Sequence, residues 1–122
     1  MYAITGINYE EIRDLLRHGM KTFELVSADH LKIARKLKLK EKFFIGNMSK
    51  QDVKKGVEGV LAEVKDVKIG YWRIFPREFD EKEVLTARIQ AKYISNCRVI
   101  KTQDLGVGEG LEVNVEPHIL LG

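Results

Sequence analysis

Cysteine is almost missing from this chain: Cys97 is the only one among 122 residues. A single thiol forms no internal disulfide and supplies no multi-cysteine zinc site, which removes the disulfide-stapled class of small proteins. Long apolar runs are missing as well. The longest, such as Phe43-Phe44-Ile45 and Ile119-Leu120-Leu121, fall far short of the ~20 residues a membrane-spanning helix needs. No basic-then-apolar leader opens the chain, because Met1–Ile7 is short and Glu10 and Glu11 follow at once. These absences lead to the expectation of a cytoplasmic protein with no membrane partner. Low-complexity tracts and internal repeats are also lacking, so disorder and solenoid architectures are set aside. Gln (51, 90, 103) and Asn (8, 47, 96, 114) are scarce beside plentiful Lys, Glu and Arg. That balance is of the heat-adapted kind, which favours charged surfaces over thermolabile amides, and predicts thermostability.

What is present fits one domain spanning 1–122, long enough to bury a core without staples. The net charge is only +3, but it is unevenly spread. Between His30 and Lys55 stand nine bases (Lys32, Arg35, Lys36, Lys38, Lys40, Lys42, Lys50, Lys54 and Lys55) against Glu41 and Asp52. That stretch carries +7, and the remainder of the chain must sum to −4.

Periodicity places the elements. Met1–Ile7 reads as a short strand. Asn8 can cap a helix over 9–18, with Glu11 completing a capping box and Ile7 and Ile12 forming a hydrophobic staple. Ile12, Leu15 and Leu16 make the apolar stripe, and Gly19 is the stop behind Arg17 and His18. Lys21–Val26 follows as a strand with Phe23 and Leu25 on one face and Thr22, Glu24 and Val26 on the other. Asp29 is read as the cap of a second helix over about 30–38, with Leu31, Ala34 and Leu37 inward. Phe43–Ile45 reads as a buried strand, and Ser49 as the cap of a single turn ended by Gly56. Val57–Ile69 is the strongest strand pattern, slipping phase near Asp66 as a bulge would make it. A loop containing Pro76 is expected from about Gly70 to Glu83. Leu85–Val99 favours strand over helix, Gly106–Gly110 is turn-rich, and Leu111–Val115 is a strand. The closing Pro117–Leu121 is expected to lie back on the core. Strand–helix alternation stops after the basic helix, which argues against a doubly wound sheet. The fold expected is therefore α+β: about six mostly antiparallel strands, as a small β-barrel, with two or three helices.

The string Leu15-Leu16-Arg17-His18-Gly19-Met20-Lys21-Thr22-Phe23-Glu24 resembles the helix–Gly–x–Lys–Thr–x–Glu signature of ASCH domains, members of the PUA-like superfamily. Leu39–Gly46 and Val57–Val67 resemble the next two strands of that pattern, and Gly59–Val64 its acidic–Val strand end. The resemblance covers roughly residues 8–70 and implies a PUA-like β-barrel associated with RNA. Val26 stands where those domains usually carry Arg, and Glu41-Lys42 where they commonly carry Gly-Asp. The whole chain also resembles an uncharacterised archaeal family of this length, for which resemblance implies no activity.

Three constellations could carry chemistry. Some small ASCH proteins hydrolyse acylated cytidine with a Lys, Thr and Glu group, so the resemblance offers Lys21, Thr22 and Glu24 as catalytic or ligand-binding residues. A hydroxyl nucleophile needs a nearby base, and a Lys of lowered pKa can serve. Equally, Lys21 can be solvated, Thr22 an ordinary strand residue and Glu24 the partner of a base. Lys32, Arg35, Lys36 and Lys38 could track a phosphate backbone or simply make a solvated face. Tyr71, Trp72 and Arg73, with Ile74, Phe75, Pro76 and Arg77 beyond, could stack bases and grip phosphates, or cap an open barrel end.

Other motifs fail. Gly19-Met20-Lys21-Thr22 lacks phosphate-loop spacing, and Gly106-x-Gly108-x-Gly110 precedes a strand instead of a helix. His18, His30 and His118 lack metal-ligand spacing. Cys97 on a strand suits a small buried apolar role. No cofactor or metal is expected. The expected function is an RNA- or nucleotide-binding module working in the cleft beside helix 9–18. A small amidohydrolase acting on a modified nucleoside is the alternative, and a ligand-free scaffold or oligomer subunit is a third.

Overall fold

A computed structural model describes the backbone of residues 1–77 and 80–118, with side chains at 1–71 and 84–118. The order is β1 (Ala3–Ile4), α1 (Tyr9–His18), β2 (Met20–Leu25), α2 (Ala28–Lys36), β3 (Lys42–Ile45), a 3-10 turn (Lys50–Asp52), β4 (Glu58–Arg77), β5 (Asp80–Asp104) and β6 (Leu111–Pro117). The architecture is α+β, with two α-helices on an open, mostly antiparallel six-stranded sheet. Strands run β1-β3-β4-β5-β2, and β6 joins the far half of β5. The β1–β3 pair is parallel. The expected strand count, strand sense and helix count are all met, but the strands lie in an open sheet. One bridge, Tyr2 to Glu112, links the start of the chain to β6.

β4 and β5 are the spine, a hairpin whose strands are 20 and 25 residues long. Such length survives because the ladder is interrupted, with register shifts at Leu61/Ala62, Val64/Asp66 and Ile74/Arg77. The second coincides with the phase slip read near Asp66. An extra residue on one strand bends it and raises its twist, so the sheet can curl. The third corrects the expected Gly70–Glu83 loop. Strand pairing runs on through Tyr71↔Leu85, Trp72↔Val84 and Arg73↔Glu83, so the segment is the outer arm of the hairpin. Pro76 falls inside the irregularity, where a residue without an N–H costs no ladder bond.

Period two sorts the apolar residues into two cores. Val60, Ala62, Val64, Phe43 and Ile45 face the helices with Ile12, Leu15, Ile33 and Ile89. Leu61 and Phe44, one residue out of phase, join Ala3, Cys97, Val99, Leu111 and Val113 in a second cluster. β3 is therefore buried on both faces, which is why Phe43-Phe44-Ile45 reads as an unbroken apolar run. Cys97 lies in that second core, and burial pushes its thiol up to about 11.

α1 has the residue range expected for it. Asn8 Oδ1 accepts from the Glu10 N–H at 2.8 Å, Ile7 and Ile12 are buried together, and Gly19 takes φ 76° to return its N–H to the Leu15 carbonyl. Leu16 departs from its expected place in the buried stripe, being 44% exposed. The second helix begins two residues earlier than expected. Ser27, not Asp29, supplies the cap, its Oγ accepting from the His30 N–H at 3.2 Å. Leu31, Ala34 and Leu37 are buried as the pattern demanded. Ser49 precedes the short turn but spends its hydroxyl on Asp52 Oδ2. The Ile119–Leu121 run lies outside the described residues.

Candidate functional site

β2 alternates strictly, and this separates three of the residues the sequence singles out. Phe23 and Leu25 point to the core, and Lys21, on the same face, reaches Asp14 of α1 at 3.5 Å. Thr22 and Glu24 occupy the opposite, exposed face. Thr22 lines a depression of about 290 Å³ with Asp66, Lys68, Arg88 and Gln90. Glu24 pairs with Arg88 at 3.3 Å. The three residues do not converge on one point.

The basic cluster is also divided. Lys32, Arg35 and Lys38 are exposed. Lys36 is committed: its Nζ donates to Glu109 Oε2 at 2.8 Å and to the Glu109 carbonyl at 3.1 Å. That hydrogen bond raises the Lys36 pKa and lowers that of Glu109. Tyr71 is 69% exposed on the hairpin arm. The side chains of Trp72 and Arg73 lie outside the described residues.

A cleft of about 220 Å³ lies beside α1, and Lys21, Thr22 and Glu24 are not among the residues that line it. Tyr9, Ile12 and Leu16 recur at helical spacing and form one wall. Arg13 stands 5.1 Å from the centroid of the Tyr9 ring. Ile45, Met48 and Val60 extend the apolar surface. Gly46 and Gly59 leave room for the Phe44 and Met48 side chains that pack against them. A Cβ at Gly59 would lie 2.4 Å from the Phe44 ring, and one at Gly46 would lie 2.4 Å from Met48 Sδ.

Four polar side chains join this apolar surface: Asn47, Glu58, Asn96 and His118. Asn96 sits opposite Val60 on the neighbouring strand, and Glu58 lies one pleat from Val60 on the same face. His118 ties the two together, its N–H donating to the Asn96 carbonyl at 2.9 Å and its Nε2 lying 3.0 Å from Glu58 Oε1. Asn47 Nδ2 donates to the Ile7 carbonyl, and Asn96 Oδ1 accepts from the Tyr93 hydroxyl. Among the described residues, Asn47 Oδ1 and Asn96 Nδ2 make no further hydrogen bond. An apolar slot whose lining includes uncommitted amide groups can hold a small planar polar ring.

Sequence reading missed these residues because strands 36 positions apart in the chain bring them together. One signal was visible. Asn is scarce, yet two of the four, Asn47 and Asn96, border the same cleft.

No solved structure matches the chain. A relative with the name "Uncharacterized protein MJ0105", from Methanocaldococcus jannaschii, is 29% identical over 107 residues, covering 88% of this chain and 69% of the relative. The family model described as "Protein of unknown function (DUF473)" matches residues 1–113, and the chain belongs to that family.

Proposed function

We propose that this protein is an RNA- or nucleotide-binding module whose cleft beside α1 receives a base. The observation that carries the reading is the cleft itself: Tyr9, Leu16 and Met48 offer apolar surface to a ring face, and Asn47 and Asn96 offer amide groups to its edge. Aromatic and apolar surfaces suit bases because every base has a π-face. Lys32, Arg35 and Lys38, exposed on and just after α2, supply the positive field for phosphates. The resemblance of Leu15–Glu24 to the ASCH signature, and through it to PUA-like RNA-associated barrels, points the same way. Turnover at Lys21, Thr22 and Glu24 has less support, because a nucleophile and its base must lie within hydrogen-bond reach. Lys21 faces α1 while Thr22 and Glu24 face away.

Fluorescence anisotropy with single-stranded and structured RNA at two salt concentrations tests this reading. Binding should weaken as salt rises, and a Lys32/Arg35/Lys38→Glu variant should lose most of it. No binding to either RNA at low salt, where attraction between charges reaches furthest, would overturn the proposal.

A further inference from the structure

The hydrogen bonds already made around the α1 cleft define what a bound ring must offer. Asn96 has given its oxygen to the Tyr93 hydroxyl, so its amide nitrogen faces a ligand as a donor. Asn47 has given its nitrogen to the Ile7 carbonyl, so its oxygen remains as an acceptor. Glu58 is an acceptor throughout, and His118 engages only one of its oxygens. An ionised carboxylate has about four acceptor positions, so one contact leaves it able to take a donor pair. Apart from His118, which is engaged with Glu58, the side chains lining the cleft thus leave one donor and two acceptor groups for a ligand.

Its complement is an edge with one acceptor and two donors. Uracil offers one donor between two acceptors, cytosine offers one donor and two acceptors, and adenine offers one of each. Guanine alone among the four common bases presents an acceptor, O6, beside two donor groups, N1–H and the N2 amine. We infer that the cleft selects guanine, resting on the nucleotide-binding reading of this same cleft. Asn96 Nδ2 donates to O6, Glu58 accepts from N1–H and N2–H, and Asn47 Oδ1 accepts the second hydrogen of the amine. His118 is a positioning residue, since its Nε2 lies 3.0 Å from Glu58 Oε1 and holds that carboxylate in place. The volume, about 220 Å³, accommodates one bicyclic base.

The test compares GMP, IMP, AMP, CMP and UMP by calorimetric titration, with 15N–1H spectra reporting both folding and the site touched. IMP keeps O6 and N1–H but lacks the 2-amino group. Hydrogen bonds to a charged group are worth enough to predict GMP binding about tenfold tighter than IMP, with AMP, CMP and UMP weaker still. Glu58→Gln should reduce the GMP-over-IMP preference while the spectrum stays folded, since Asn47 Oδ1 still accepts from the 2-amino group, and Asn96→Asp should weaken GMP by presenting an acceptor to O6. Equal affinity for all five nucleotides, or an unchanged preference in Glu58→Gln, would overturn guanine selection and leave nucleotide binding standing. Shifts at α2 but none at Tyr9, Asn47 or Asn96 would overturn it too, placing binding on the cations alone. Silence toward every mononucleotide and toward RNA would sink both this inference and the binding reading beneath it.

Discussion

The cleft beside α1 and the depression on the outer face of the sheet are of similar volume, about 220 and 290 Å³, and deploy their polar groups in opposite ways. On the outer face each charge finds its opposite close by: Glu24 meets Arg88 at 3.3 Å and Asp66 meets Lys68 at 3.7 Å. In the α1 cleft, Asn47 and Asn96 each use one end of the amide to anchor themselves and leave the other uncommitted. A surface whose charges satisfy each other offers little to a ligand. One whose anchored groups keep unused capacity is prepared for one, because little ordering cost remains at binding. Size alone would favour the outer depression; the mutual pairing of its charges favours the cleft.

The largest expected effects break the cleft's supporting wall. Phe44 is fully buried in the second core, and its ring lies against both Gly46 and Gly59. Phe44→Ala should cost ~3–5 kcal/mol, read as a lower urea midpoint at unchanged slope. Gly59→Ala adds a methyl where the Phe44 ring and the Ile45 carbonyl already stand, at 2.4 and 2.8 Å. It should cost ~1–3 kcal/mol through overpacking. Its outer-face counterpart, Thr22→Ala, should change stability by no more than ~0.5 kcal/mol. A Gly59→Ala protein as stable as the parent would mean the wall is looser than this packing implies.

Binding should divide along the same line. Tyr9 is 59% exposed at the cleft mouth, so its removal opens no core cavity. Tyr9→Ala should weaken RNA by ~1–3 kcal/mol, the usual worth of one base stacked on an aromatic ring, while the melting temperature holds. Thr22→Ala and Glu24→Gln should leave affinity unchanged. If the outer-face variants weaken RNA more than Tyr9→Ala does, the comparison is reversed and the depression is the site.

How far the sequence anticipated this follows from the range of the forces involved. α1 was legible to the residue because its signals are local: Asn8 before it, Gly19 after it, and an apolar stripe between. The faces of β2 and the first part of β4 were legible because period two needs no partner. Phe43-Phe44-Ile45 betrayed a strand buried on both sides, although two separate cores were not foreseen. The hairpin arm was misread because Gly70 and Pro76 are turn residues by habit, and only the cross-strand register from Gly70↔Thr86 to Ile74↔Lys82 overrides them. Ser27 was passed over for Asp29 since either can cap a helix. Lys21, Thr22 and Glu24 were found as a group by resemblance, but alternation on β2 divides them. Asn47, Glu58, Asn96 and His118 meet only after β3, β4 and β5 have paired, which no local pattern encodes.

The smallest effect should come from the clasp between α2 and the loop before β6, where Lys36 meets Glu109 at 2.8 Å. The pair is exposed, so it holds a loop rather than the fold. Their hydrogen bond lowers the Glu109 pKa and raises that of Lys36. A carboxyl with a depressed folded pKa lends stability that is present above its ordinary value, near 4.3, and is lost as pH falls through the folded value. An amine with a raised folded pKa lends stability that is present below its ordinary value, near 10.4, and is lost as pH rises through the folded value. The clasp should therefore hold across the neutral range and open at both extremes. Amide exchange at Glu109, taken relative to its intrinsic rate at each pH, should quicken in the parent as pH falls through the lowered carboxyl pKa. In Glu109→Gln it should already be quick at neutral pH, with global stability barely moved. Since Lys36 is occupied by Glu109, the same variant releases a cation beside Lys32 and should slightly strengthen RNA binding at low salt. Weaker binding would show instead that the ordered loop, and not the liberated charge, is what the phosphates meet.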